Sequence, residues 1–140
     1  MIRRLAAAIA MATFVTQIGA ADPKSELELM QGTWKISAAE MGGEKIDLST
    51  TTLTIEKDAY TVKVGEQLDK GILKLDPSKS PRAMDIVGKE GPNKGKTFLA
   101  IYELKDDSIK ICYALEGKRP TDFTTKGDKR LFMATYKKAK

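Results

Sequence analysis

The chain has 140 residues, of which 41% are hydrophobic and 31% are charged, a balance typical of one soluble globular domain. It contains no histidine, which excludes histidine-based catalytic triads and histidine-ligated zinc, and its single cysteine excludes a disulfide within the chain. The 24 basic and 19 acidic residues give a net charge of +5, and both signs alternate along the chain, so we predict no nucleic-acid partner.

The first 21 residues have the three-part pattern of a secretory signal peptide. Arg3 and Arg4 precede an apolar run over 5–15, and small residues follow at 19–21. The apolar run is shorter than the roughly 20 residues of a membrane-spanning helix. We therefore predict a signal peptide over 1–21 and no membrane span. The remaining domain, 22–140, is predicted to be exported to the periplasm or the extracellular space.

After a short predicted helix, the chain is a series of short strands. The helix is predicted over 25–30, capped by Ser25 and ended by Gly32. From there, apolar and polar residues alternate with a period of two, and turn residues return about every eight to twelve positions. The predicted strands lie at 34–38, 52–56, 60–64, 71–75, 83–87, 97–104, 108–114 and 130–136.

An antiparallel chain of about eight short strands exposes two sheet edges unless the sheet closes on itself. Closure joins the first strand to the last and leaves no edge open to other chains. We therefore predict an all-β fold, a small antiparallel up-and-down β-barrel. An open two-sheet sandwich has the same local pattern and remains the alternative.

Short motifs occur in a defined order along the chain, at 31–35 (QGTWK), 75–77 (LDP), 91–96 (GPNKGK), 101–104 (IYEL), 111–113 (ICY) and 119–123 (RPTDF). Together they resemble an uncharacterised family of secreted bacterial lipocalin-like domains, known mainly from planctomycetes. The resemblance implies a lipocalin-like (calycin-like) barrel with Gly32 and Trp34 as its signature, in which Trp34 closes one end. It also implies a basic residue of the last strand packed over Trp34, and Arg130 is the candidate. It implies no ligand and no activity.

Aromatic side chains on the strands are candidates for the lining of an apolar cup inside the barrel. The candidate ligand contacts are Tyr60, Tyr102, Tyr113 and Phe123, beside Trp34. Arg119 or Arg130 would then pair with an acidic head group of the ligand. The alternative is that the aromatic residues only fill the core.

No motif indicates catalysis, a cofactor or a metal. The loop at 91–97 approaches a phosphate-binding loop, but only three residues separate its glycines and a strand follows where that site needs a helix N-terminus. The acidic residues show neither a calcium-loop spacing nor a recognisable catalytic arrangement. We therefore predict a protein that is not an enzyme and that has no cofactor and no metal site.

Cys112 lies in the middle of a predicted strand, between Ile111 and Tyr113. We interpret it as a small buried residue without chemistry. If its face of the strand were solvated, an oxidising compartment would permit a Cys112-linked dimer of an otherwise monomeric protein.

Two functional hypotheses follow from this fold. The first is an exported lipocalin-like domain that binds a small, mostly apolar ligand without chemistry. The second is an envelope protein-interaction or inhibitor module whose barrel core is solid. They differ in whether the barrel contains a cavity.

Overall fold

A computed structural model describes residues 22–139, and the predicted signal peptide lies outside the described residues. Within them the chain forms one short helix and a series of strands. The elements are α1 (Pro23–Met30), β1 (Gly32–Met41), β2 (Glu44–Lys45), β3 (Thr51–Glu56), β4 (Ala59–Val64), β5 (Gln67–Asp76), β6 (Arg82–Glu90), β7 (Thr97–Lys105), β8 (Ser108–Ala114) and β9 (Leu131–Lys138).

The strands form a closed antiparallel barrel. From β3 to β9 each strand pairs with the next, β1 pairs with β3, and β9 returns to pair with β1 from Trp34 opposite Lys138 to Met41 opposite Phe132. Eight strands thus close the barrel, and β2 extends β1 as a short additional strand. The predicted up-and-down barrel is confirmed, and the open sandwich is wrong because the first and last strands are hydrogen-bonded.

The helix begins at Pro23, two residues before the predicted cap. Asp22 is the N-cap, since its side chain accepts a hydrogen bond from the Ser25 amide at 2.9 Å, and Pro23 occupies the start of the helix. This hydrogen bond lowers the pKa of Asp22. The predicted cap at Ser25 is wrong because a proline fits the first helical turn, where its missing N–H costs nothing.

Gln31 fixes the end of α1 to the turn between β3 and β4. Its side-chain nitrogen donates to the backbone oxygens of Leu27 and Lys57 at 2.8 and 2.9 Å, and its side-chain oxygen accepts from the Lys57 amide at 2.7 Å. The helix therefore lies across the end of the barrel at which β1 begins. We call this end the closed end, and the opposite end the open end.

The closed end is filled by side chains with satisfied polar atoms. Trp34 is fully buried, and its indole N–H donates to the backbone oxygen of Met30 at 2.9 Å. Tyr102 is also buried, and its hydroxyl donates to Glu26 at 2.9 Å. The Arg82 guanidinium lies 3.4 Å from the same carboxylate, so the buried Glu26 is paired with a charge and a hydroxyl.

Lys138, and not Arg130, is the basic residue packed over Trp34. Its ammonium lies 4.9 Å from the ring centroid and donates to the backbone oxygen of Gln31 at 2.8 Å. Arg130 precedes β9, at the other end of that strand, where it pairs with Asp128 at 3.1 Å. The prediction for Arg130 is wrong because β9 continues to Lys138, which stands opposite Trp34.

The connection between β8 and β9, 115–130, covers part of the outer surface of the barrel. Thr125 is fully buried there; its hydroxyl donates to Glu40 at 2.7 Å and accepts from the Gly43 amide at 2.8 Å. Cys112 is fully buried on the outward side of β8, and burial raises the pKa of its thiol to about 11. The Cys112-linked dimer is therefore wrong, since it required a solvated face.

Candidate ligand-binding cavity

The open end of the barrel contains a cavity of about 240 Å³. Because side chains alternate between the two faces of a strand, every second residue of each barrel strand points into the barrel interior, and those near the open end line the cavity. Val64 and Gln67, on either side of the β4–β5 turn, line the cavity together with Pro92 and Asn93 of the β6–β7 loop. Most of its walls are aliphatic, including Leu53, Val62, Leu73, Ile86, Ile111 and Ala134.

Aromatic rings form another part of the wall. The half-buried Tyr113 lies between Phe98 and Phe132, with ring centroids 5.4 and 5.2 Å apart and the ring planes tilted. Tilted pairs at these distances are favourable arrangements of aromatic quadrupoles. Tyr60 and Tyr136 complete the aromatic lining.

The predicted tyrosine contacts divide between the two ends of the barrel. Tyr60 and Tyr113 line the cavity, which is the position predicted for residues of an apolar cup. Tyr102 lies at the closed end and is occupied by its hydrogen bond to Glu26, outside the cavity. The structure therefore brings together two of the three predicted tyrosines and adds Tyr136, which the sequence analysis did not select.

Phe123 lies on the outer surface of the barrel, away from the cavity. Its half-buried ring faces the ammonium of Lys110, which lies 5.6 Å from the ring centroid. Lys110 alternates with the inward residues Ile109 and Ile111 of β8, which places it on the outside. Phe123 therefore packs the 115–130 connection against the wall.

Arg119 is also on the outer surface and cannot hold a ligand in the cavity. One of its terminal nitrogens donates to the backbone oxygens of Met84 and Ala100 at 3.0 and 2.8 Å. The other donates to the carboxylate of Asp85 at 2.7 Å. These bonds hold the 115–130 connection against β6 and β7, so the proposed pairing of Arg119 with an acidic head group has no support in its position.

The polar side chains of the cavity were not predicted from the sequence. Asp69 is on β5; one of its carboxylate oxygens, Oδ2, accepts from the Asn93 amide nitrogen at 2.8 Å. Its other oxygen, Oδ1, is buried without a hydrogen-bond partner among the described residues, and so is the hydroxyl of Thr51. Strand alternation places Asp69 on the inward face with Gly71 and Leu73, a signal that was present in the sequence.

Burial keeps the tyrosines of the cavity neutral. It raises the pKa of Tyr60 to about 12, with a further contribution from the negative charge of Asp69, and it raises the pKa of Tyr136 to about 12. The pKa of Tyr113 is raised by burial first and then by its neighbours, which include Asp69. All three hydroxyls are therefore protonated near neutral pH and can donate or accept a hydrogen bond.

The described residues show neither a metal-binding cluster nor a membrane-spanning helix. Within 22–139, no group of three or more Asp, Glu or Cys side chains is arranged to hold a metal ion. No helix in this part of the chain has the length and hydropathy to cross a membrane.

Comparison with protein-family models, with curated proteins and with solved structures gives no match for this chain. The resemblance to secreted lipocalin-like domains therefore stays a prediction from the sequence motifs.

Proposed function

We propose that the protein binds a small, mostly apolar molecule in the open-end cavity without changing it chemically. The observation that carries the proposal is the volume and lining of this cavity. Its 240 Å³ lies between the about 150 Å³ that holds benzene and the about 300 Å³ at the lower end of common ligand pockets. A ligand with one aromatic ring and a short side chain fits this range, and transfer of its apolar surface from water into the cavity favours binding.

We further infer that the chain is an exported lipocalin-like domain. The closed up-and-down barrel and the position of Trp34 beneath α1 support this inference, together with the sequence motifs. Export to the periplasm or the extracellular space rests on the signal-peptide pattern of 1–21.

The alternative, an envelope protein-interaction or inhibitor module, was defined by a solid barrel core. The closed end meets that description, but the open end contains the cavity. This cavity favours the binding of a small molecule over a purely external role.

The proposal can be tested by filling the cavity. Ala134 is buried and lines the cavity, so Ala134→Phe places a ring in the space that a ligand would occupy. Ala59→Phe is the matched control, because Ala59 is exposed and lies outside the cavity. The probes are 2-phenylethylamine, 2-phenylethanol and phenylacetate, added to protein that was refolded from denaturant to remove any co-purified molecule.

Isothermal titration calorimetry measures the binding. We expect at least one probe to bind the native protein and the Ala59→Phe variant with the same affinity, and Ala134→Phe to weaken that binding at least about tenfold. Melting curves of both variants establish that they are folded. Absence of binding by all three probes, or equal binding by a folded Ala134→Phe variant, contradicts the proposal.

A further inference from the structure

The charge in the cavity comes from one side chain. Among the described residues that line it, Asp69 is the only charged one, and no lysine or arginine lines it. The other polar groups are neutral amides and hydroxyls, those of Gln67, Asn93 and Thr51 and of the tyrosines. The carboxylate of Asp69 is therefore the one charge of the cavity lining with which a bound molecule can pair.

The hydrogen bonds of Asp69 are incomplete. Asn93 donates to Oδ2 at 2.8 Å, which fixes the orientation of the carboxylate in the cavity wall. Oδ1 is buried and has no partner among the described residues. A buried acceptor without a donor is unfavourable, and more so when it carries charge, so a ligand that donates to Oδ1 gains a charge-assisted hydrogen bond.

The surrounding rings favour a cation over an anion. The negative charge of Asp69 contributes to the raised pKa of Tyr60 and Tyr113, which means that a second negative charge in this space is disfavoured. The same field disfavours a carboxylate ligand. The faces of aromatic rings attract cations, and both tyrosine rings line the cavity beside the carboxylate.

We propose that the ligand is a small apolar amine whose protonated nitrogen donates a hydrogen bond to Asp69 while its apolar part lies between the aromatic and aliphatic walls. This inference rests on the proposed function and gives the chemical class of its ligand. It replaces the predicted acidic head group paired with Arg119, which is engaged on the outer surface.

A head-group series tests this inference on the native protein. The three probes share a phenyl ring and a two-carbon chain and differ in their polar end, which is a cation in 2-phenylethylamine, neutral in 2-phenylethanol and an anion in phenylacetate. By calorimetry near pH 7 we expect the amine to bind at least about tenfold more tightly than the alcohol, and phenylacetate to bind most weakly.

Asp69→Asn tests the residue, because it removes the charge and keeps the size. We expect this variant to lose at least about tenfold in affinity for the amine while its affinity for the alcohol changes little. Glu66→Gln is the matched control: Glu66 lies in the exposed β4–β5 turn at the same end of the barrel but does not line the cavity. Glu66→Gln removes one negative charge, as Asp69→Asn does, and should leave the preference for the amine unchanged.

The outcomes separate this inference from the proposed function. If the alcohol or phenylacetate binds as tightly as the amine, or if a folded Asp69→Asn variant keeps the preference, the inference is overturned and the proposed function stands. If none of the three probes binds, both the inference and the proposed function are overturned. The ranking on the native protein does not depend on whether Asp69→Asn folds.

Discussion

Both ends of the barrel contain large aromatic side chains, but these are packed and hydrogen-bonded at the closed end and border a cavity at the open end. At the closed end, the indole N–H of Trp34 and the hydroxyl of Tyr102 both donate to groups of α1 at 2.9 Å. At the open end, Tyr60, Tyr113 and Tyr136 border a cavity, and the structure shows no hydrogen bond from their hydroxyls to another described residue. The same inward-facing residue types thus fill one end and leave space in the other.

The difference between the two ends comes from α1, which covers the closed end. The helix supplies a carboxylate and a backbone oxygen to the closed end, so the buried polar atoms there have partners within the protein. At the open end, a buried oxygen of Asp69 and the hydroxyl of Thr51 have no partner in the described part of the chain. Under the proposed function, a bound ligand provides the missing hydrogen-bond partners at the open end, whereas the closed end holds the fold together.

The largest expected effect is on stability, from truncating isoleucine at the two ends. Ile109 is fully buried at the closed end, whereas Ile111, two residues later on the same face of β8, borders the cavity. We expect Ile109→Ala to lower the free energy of unfolding by about 4 kcal/mol and Ile111→Ala by about 2 kcal/mol, because a side chain beside a void has fewer contacts to lose. Urea denaturation measures both.

The two isoleucines are matched in strand, face and substitution, so each serves as the control of the other. Equal losses, or a larger loss at Ile111, would show that the open end is packed as tightly as the closed end and would contradict the comparison.

The second effect is a loss of stability in alkali. Tyr60 and Tyr136 have a pKa of about 12 in the folded protein against the ordinary 10.0, so above pH 10 the unfolded chain releases protons that the folded protein keeps. Stability is therefore complete below pH 10 and falls as the pH rises to about 12, with a contribution of at most about 3 kcal/mol from each tyrosine.

The tyrosine effect is measured by urea denaturation between pH 9 and pH 12, with the absorbance of tyrosinate as an independent signal. Tyr136→Phe should make the loss of unfolding free energy between pH 10 and pH 12 smaller, because the contribution of Tyr136 is then absent. A native protein whose tyrosines ionise near pH 10 without unfolding would mean that the cavity is open to water, contrary to the account.

The smallest effect concerns the closed end. Lys138→Ala removes the ammonium over Trp34 and its bond to Gln31, and we expect a loss of about 1 kcal/mol in the free energy of unfolding. Lys137→Ala is the control, since this neighbouring lysine is exposed and should change stability by less than about 0.5 kcal/mol. Equal effects of the two variants would remove Lys138 from the account of this end.

The barrel itself could be predicted because its determinants are local. The alternation of apolar and polar residues and the spacing of turns are visible along the chain, and closure follows from the need to protect sheet edges. The short β2 strand, two residues long, falls below what such a pattern can reveal. The cavity could not be predicted, because the sequence pattern is the same for a barrel with a solid core and for one that contains a cavity.

Asp69 and Lys138 were not predicted because β5 and β9 extend beyond the alternating apolar residues that indicate a strand. The predicted strand began at Gly71, whereas β5 begins at Gln67, so Asp69 was not counted as an inward residue. Likewise the last strand was ended at Tyr136, two residues before Lys138. Polar residues at strand ends weaken the periodic signal at the point where these sites lie.

The positions of Arg119, Phe123 and Cys112 depend on how the 115–130 connection folds back. Its contacts with β6, β7 and β8 join residues far apart in sequence. No periodicity encodes such contacts, so a basic residue beside a proline could be assigned to the barrel mouth when it in fact braces the outer wall.

Methyl NMR of the refolded protein, during titration with the tightest-binding of the three probes, compares the two ends of the barrel directly. We expect shifts for the methyl groups of Ile86 and Ile111, which line the cavity, and unchanged signals for Ile55 and Ile109 in the core of the closed end. Shifts confined to surface residues, or equal shifts at both ends, would contradict the claim that one end of this barrel is built to bind and the other to hold the fold.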